Sequence, residues 1–382
     1  MALAAVAIVL FSGGSGTDRR APEQIEVVPA SRAALRWVGQ ARPLGDGAPP
    51  WARRMYRRSL LVLRALTYPD GAAIAGARQG WAYVWPRDAS AVALAFAAAG
   101  YRSEARRVAR FLLRLDLRAA ARFYPDGTPV PGRGPQGDAA GWVAAAAQAA
   151  GLPAPPRSRF AWRDRADYQE GEDGDYLGNA ITSALRPERP SVRSLYGYAR
   201  QTANARDSRG IAAAFGTRRG LVREAGDPGS GLDSAAAWAV RPFPHPVLFP
   251  LVRRTLLRLA ARSGRFGIVP SEDWDGGEDP WTAPTAWAAW SLAALWQIDR
   301  RTEQRGAGAE PRRFRGTALR DRRAALRLMT ELRRTATPLG LPERVDARTG
   351  APASTTPLAW SHAFAILALR ELWPADARSA VP

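Results

Sequence analysis

Glu343 stands in a loop, and the Pro-, Gly-, Ser- and Thr-rich turn after it runs into PLAWSHA, so residues 341–364 bring a carboxylate to the start of a helix. Pro357 suits a first helical turn, where its missing N–H would have no partner, and Thr355 or Thr356 is placed to cap it. Loops held by rigid helices carry most catalytic groups. Few other acid–base groups are on offer. The chain has no Cys and only two His, His245 and His362. That excludes Cys nucleophiles, disulfides and multi-histidine metal sites, and carboxylate chemistry remains. His362 reads as an N-terminal-turn histidine satisfied by backbone rather than as a catalytic base.

Four long loops share a composition of Trp or Tyr beside Asp, Glu and Arg. YVWPRDAS holds Tyr83, Trp85, Arg87 and Asp88, and DYQEGED holds Asp167, Tyr168, Glu170, Glu172 and Asp173. SEDWDGGEDPW holds Glu272, Asp273, Trp274, Asp275 and Trp281, and the last loop carries Glu343 with Trp360 and His362 beyond it. This is what a sugar pocket requires. Aromatic faces stack on the C–H faces of a pyranose, while carboxylates and Arg take its hydroxyls. Two further carboxylates can act as general acid and general base around a glycosidic bond.

Helices must position these loops. Ala-rich apolar segments recur between Gly/Pro-rich connections, and period-2 runs of β-branched residues are nearly absent. The clearest case is 103–116, where Ala105, Val108, Ala109, Leu112 and Leu115 share one face and Arg106, Arg107, Arg110 and Arg114 lie away from it. The expectation is about twelve helices in hairpins, including segments at 91–99, 139–150, 192–203 and 358–372, with alternate connections long, aromatic and acidic. No repeat of fixed period emerges, so a barrel of paired helices with one mouth of long loops fits better than a solenoid. That barrel occupies 51–382 as one domain. Residues 17–50 read as a linker with a short helix near 32–38. MALAAVAIVLF is apolar but too short to span a bilayer, which takes about 20 residues, so 1–16 is expected to be a truncated export signal or membrane anchor. The expected localisation is secreted, or the outer face of the cytoplasmic membrane.

The net charge is +20, and all 55 basic residues are Arg. They are spread along helices rather than clustered among exposed aromatics, so solvated helix faces are expected and no nucleic-acid partner.

Taken together, the motifs resemble the glucoamylase-like family-15 glycoside hydrolases. YVWPRDAS resembles that family's Tyr-x-Trp-x-Arg-Asp motif, and LPERVDARTGAPASTTPLAWSHAF its Leu-Pro-Glu…Pro-Leu-x-Trp-Ser-His-Ala stretch. GLDSAAAWAVRPF and the GGEDPW loop resemble two further family segments, all in the family's order from 51 to about 375. The resemblance implies an all-α (α/α)6 toroid and inverting, exo-acting hydrolysis of α-glucosidic bonds in an α-glucan or α-linked oligosaccharide. It implies Glu343 as general base and Glu170, with Glu172 as fallback, as general acid. It places Tyr83, Trp85, Arg87, Asp88, Tyr168, Asp273, Trp281 and Trp360 in substrate binding. It implies no cofactor and no catalytic metal, and leaves a structural Ca²⁺ open; a monomer is expected, with possible membrane attachment through the N-terminus. Three positions depart from the family pattern: Val269 stands for an Arg, Ala139 for a Glu and Gln169 for a Trp. Each change removes a substrate-facing group, so a trehalase, a dextran-type α-glucosidase or a catalytically silent sugar-binding barrel stays open.

Overall fold

The computed structural model describes residues 6–11, 24–78, 80–153, 176–183, 205–305 and 311–375. At the start, β1 (Val6–Phe11) pairs antiparallel with β2 (Gln24–Pro29), with Val6 opposite Pro29. Helix α1 (Arg32–Gly39) follows, its first turn capped by Ser31, whose hydroxyl accepts the Ala34 N–H at 3.1 Å. Trp37 of α1 stacks on Tyr101 with centroids 4.1 Å apart, and Gly45 N–H donates to Trp373 O at 3.0 Å. The folded unit thus begins upstream of Trp51, inside the stretch read from sequence as linker. No helix among the described residues is long and apolar enough to cross a membrane.

Outer and inner helices then alternate. α2 (Pro50–Ala65) is outer, α3 (Pro86–Ala99) inner, α4 (Arg102–Leu112) outer and α5 (Ala139–Ala149) inner. α6 (Leu177–Ser183) is inner, α7 (Ala205–Phe215) outer, and the next inner place is taken by a 3₁₀ helix at Ser234–Ala239. α8 (Phe249–Arg262) is outer, α9 (Thr282–Arg305) inner, α10 (Pro311–Arg334) outer and α11 (Ala359–Leu372) inner. Each inner element packs on the next, and α11 returns to α3, which closes a ring of six. From α2 to α11 the described residues form an all-α toroid. Residues 154–175, between α5 and α6, lie outside the described residues, as does the helix expected at 192–203.

Sequence explains the division. Every residue of α11 is buried and nearly every one of α3, because both are Ala-rich and apolar all round, the pattern of a helix surrounded by others. On α4, by contrast, Ala105, Val108, Ala109 and Leu112 face inward and Arg106, Arg107 and Arg110 face water. Gly100, at φ 94°, ends α3 in the left-handed conformation that glycine adopts without strain.

A closed set of aromatic rings fills the toroid. Trp142 meets Trp238 edge-to-face at 5.1 Å, Trp238 meets Trp287 at 5.4 Å, Trp287 meets Phe364 at 5.5 Å, and Phe364 returns to Trp142 at 6.0 Å. Each such pair contributes about 0.5–1.5 kcal/mol beyond its buried area. Trp360, one turn nearer the start of α11, rests on Trp287 at 5.2 Å. The plug therefore forms a floor, and the inner-helix starts stand around it.

Short backbone bridges join those starts: Gly76 to Leu358, Trp281 to Arg344, and Asp233 to Ser271. One expectation changes here. Leu358 is extended (φ −113°, ψ 125°) because its N–H donates to Leu341 O at 2.9 Å and its backbone bridges Gly76. α11 consequently begins at Ala359 rather than Pro357, and no side chain caps it.

Candidate active site

The first wall of the mouth comes from α3. Trp85 is its extended N-cap residue and Pro86 occupies the first helical position, so Arg87 and Asp88 fall in the first turn. Both are buried, at 5% and 6% exposure. Arg87 Nη1 donates to Asp138 Oδ2 at 2.8 Å, Arg87 Nε lies 3.8 Å from Asp88 Oδ2, and the guanidinium sits 5.0 Å above the Trp360 ring. Arg87, Asp88 and Trp360 are thereby one cluster. Tyr83 and Trp85 are 5.9 Å apart, and the Arg122 guanidinium lies over both rings, at 4.7 and 5.4 Å.

The second wall carries Glu343, which is 6% exposed. Ser354 Oγ donates to its Oε2, taking one of the carboxylate's acceptor sites and fixing the side-chain direction. The backbone beneath is held at each polar group. Leu341 N–H donates to His362 Nε2 at 2.9 Å, and Leu341 O accepts from Leu358 N–H at 2.9 Å. Thr282 Oγ1 donates to Pro342 O, Glu343 N–H donates to Thr355 O at 2.9 Å, and Thr282 N–H donates to Glu343 O at 2.9 Å. Ser361 Oγ completes the set, 2.7 Å from Thr282 Oγ1. The first turns of α9 and α11 thus bracket the loop, and Ser361 adjoins Trp360, so the two walls share an edge. Positive ends of these inner helices face the loop, an environment suited to anionic groups.

The third loop divides. Trp281 bridges Arg344, the neighbour of Glu343, and meets Trp274 edge-to-face at 5.5 Å. Arg223 lies over Trp274 at 5.3 Å and over Tyr176 at 5.2 Å. Asp273 is exposed and packs over Gly231. Glu272 is structural: it binds Arg219 through both oxygens at 2.7 and 2.8 Å, Arg262 at 2.5 Å, and the Leu232 N–H at 3.1 Å. The second loop, with Asp167, Tyr168, Glu170, Glu172 and Asp173, lies outside the described residues, as does Gln169.

Neither histidine reaches the mouth as a free base. His245 is fully buried, with Nδ1 3.0 Å from Ser208 Oγ and Nε2 3.0 Å from Ile181 O. His362 is equally buried, and burial, reinforced by the nearby Arg58 charge, pushes its imidazole down to about 3. Among the described residues no group of three or more His, Asp or Glu could hold a metal ion.

Two site residues escaped the sequence reading. Asp138 precedes α5 but its side chain accepts no capping hydrogen bond; its carboxylate instead accepts from Arg87. Arg122 looked like one more surface arginine, yet it is only partly exposed and its Nε is buried without an acceptor. Its place two residues before Tyr124, itself 5.5 Å from Tyr83, was the available signal.

A model described as "Glycosyl hydrolases family 15" matches residues 50–122, from α2 through the Tyr83–Asp88 loop to Arg122. No curated protein matches the chain. Among solved structures, it is similar to a wild-type glycosidase, with 18% identity, a TM-score of 0.61, and 85% of this chain and 99% of that one covered. A glycosidase variant in complex with glucose gives 20% identity and a TM-score of 0.63 over 85% of this chain and 99% of that one. Glucoamylase from Saccharomycopsis fibuligera gives 14% and 0.60 over 87% and 97%. These likenesses carry the fold. The family match covers residues 50–122, the first wall of the mouth, so the chain resembles family-15 glycoside hydrolases there and shares the overall fold of these glycosidases.

Proposed function

We propose that the protein is an inverting, exo-acting hydrolase of α-glucosidic bonds, with Glu343 as general base. The observation that carries this reading is the setting of Glu343: a nearly buried carboxylate, oriented by Ser354, on a segment whose every backbone polar group is bonded. Such rigidity suits a base that must aim a water at one face of a sugar. Arg87 and Asp88 take hydroxyls of the terminal sugar, Trp360 and Trp85 give it apolar faces, and Trp281 lines the side next to the base. Tyr83 and Asp273 contact the substrate further out.

In the reaction, Glu343 removes a proton from water as the oxygen attacks the anomeric carbon. A second carboxyl, assigned to Glu170 or else Glu172, gives its proton to the departing oxygen. Inversion needs the two carboxyls about 6.5–9.5 Å apart, so that water fits between base and sugar. One solved neighbour contains glucose, which supports a glucose-type ligand here. Val269 is part-buried and Ala139 buried, and neither offers a polar contact. The altered contacts keep trehalose and α-1,6-linked oligosaccharides in view beside maltose.

The test is turnover of maltose, isomaltose, trehalose and a longer α-glucan by purified protein, with Glu343→Gln in parallel. The reading expects glucose from at least one substrate and a loss of about a thousandfold or more in kcat for the variant, with its helical circular dichroism intact. Sugar binding without turnover would instead assign a silent carbohydrate-binding barrel.

A further inference from the structure

The loop that bears Glu343 is built around a buried imidazole. His362, in the first turn of α11, is 1% exposed. Its Nε2 receives the Leu341 N–H at 2.9 Å, so that nitrogen is the unprotonated one. Nδ1 therefore carries the proton, and it lies 2.9 Å from Ser59 Oγ on α2. The chain makes room for the ring at Gly340, where φ is +123° and a Cβ would stand 2.5 Å from Nε2. Arg58, next to Ser59, is the charged group that faces the ring, and its guanidinium donates to Pro338 O on the same loop.

Only Pro342 separates Leu341 from Glu343. Proline fixes its own φ near −65°, so few free torsions remain between the amide that His362 holds and the carboxylate. A shift at Leu341 is passed on to Glu343 rather than absorbed.

We propose that His362, as the Nδ1–H tautomer, is a positioning residue for Glu343, linking Ser59 of the outer ring to the Leu341 amide and so fixing the base over the mouth. This rests on the reading of Glu343 as general base. His362→Leu removes the acceptor, while His362→Gln keeps an oxygen within reach of the Leu341 N–H. The full-length variants are assayed for kcat and KM separately on the substrate turned over fastest, and histidine ¹⁵N shifts and Leu341 amide exchange are recorded by NMR.

Misplacing a catalytic group by about 1 Å costs about a hundredfold, so His362→Leu is expected to lower kcat ten- to a hundredfold with KM changed less than about twofold. His362→Gln should recover most of kcat, and Leu341 exchange should accelerate in His362→Leu alone. Gly340→Ala, which displaces the ring without removing it, should repeat the kcat loss and stands in if His362→Leu does not fold. An unchanged kcat in folded His362→Leu, or in folded Gly340→Ala where that variant stands in, would overturn the proposal, as would equal loss in His362→Gln. Failure of the wild type to hydrolyse any α-glucoside would sink the general-base reading and this role with it. An Nε2-protonated ring, or a Leu341 amide that exchanges freely in the wild type, would overturn the link to Leu341 whatever the activity.

Discussion

Arg87 Nη1 and Asp138 Oδ2, 2.8 Å apart, join the first turn of α3 to the residue that precedes α5. Asp138 is fully buried and Arg87 nearly so, so the pair sits where an uncompensated charge is costly. Breaking a buried pair by deleting one partner costs about 3–5 kcal/mol. Asp138→Ala should therefore lower unfolding stability by about that amount in urea titration, and Asp138→Asn, which still accepts a hydrogen bond, by less. In both variants KM should rise, because Arg87 loses its direction above Trp360.

Two buried groups should act on the acid limb of stability in opposite senses. Burial, with Arg58 assisting, lowers His362 from 6.5 to about 3, so the unfolded chain binds the extra proton between those values and stability is lost as pH falls through them. Burial raises Asp321 from 3.8 to about 6, partly offset by Arg253 at 2.8 Å, so its contribution falls as pH rises over that interval. Each slope is at most about 1.4 kcal/mol per pH unit. Urea midpoints from pH 4 to 6 should rise more steeply in Asp321→Asn than in the wild type, and more gently in His362→Gln.

Arg122 offers donors beside Tyr83 and Trp85 and has a buried Nε with no acceptor. We expect it to hydrogen-bond substrate. A neutral hydrogen bond is worth about 0.5–1.5 kcal/mol, so Arg122→Met should raise KM about two- to tenfold in steady-state assays. The unfolding midpoint should move little, since no ion pair is lost.

A barrel of paired helices was legible because Ala-rich apolar segments such as α3, α5 and α11 contrast with α4 and α8, which carry Arg on one face; the toroid itself followed from the family resemblance. The grouping of Arg87, Asp88 and Trp360 was legible through motif order. Asp138 was not, because its contact with Arg87 spans 51 residues. The start of α11 was misplaced because Pro357 and the threonines signal a helix locally, whereas the bridge from Leu358 to Gly76 is a tertiary contact. Among the acidic loops, composition could not separate Glu272 from Glu343. The structure shows Glu272 held by Arg219 and Arg262, and Glu343 accepting a hydrogen bond from the Ser354 hydroxyl. His362 was rightly read as satisfied by backbone, but its outer partner, Ser59, lies 303 residues away.

The proposed inverting reaction requires a water delivered by Glu343 to the face opposite the leaving group. Proton NMR during the first minutes of hydrolysis, before mutarotation, reads the anomer of the released sugar directly. Appearance of the β-anomeric signal first is the predicted result, and an α-anomer released first would contradict the inverting role assigned to Glu343.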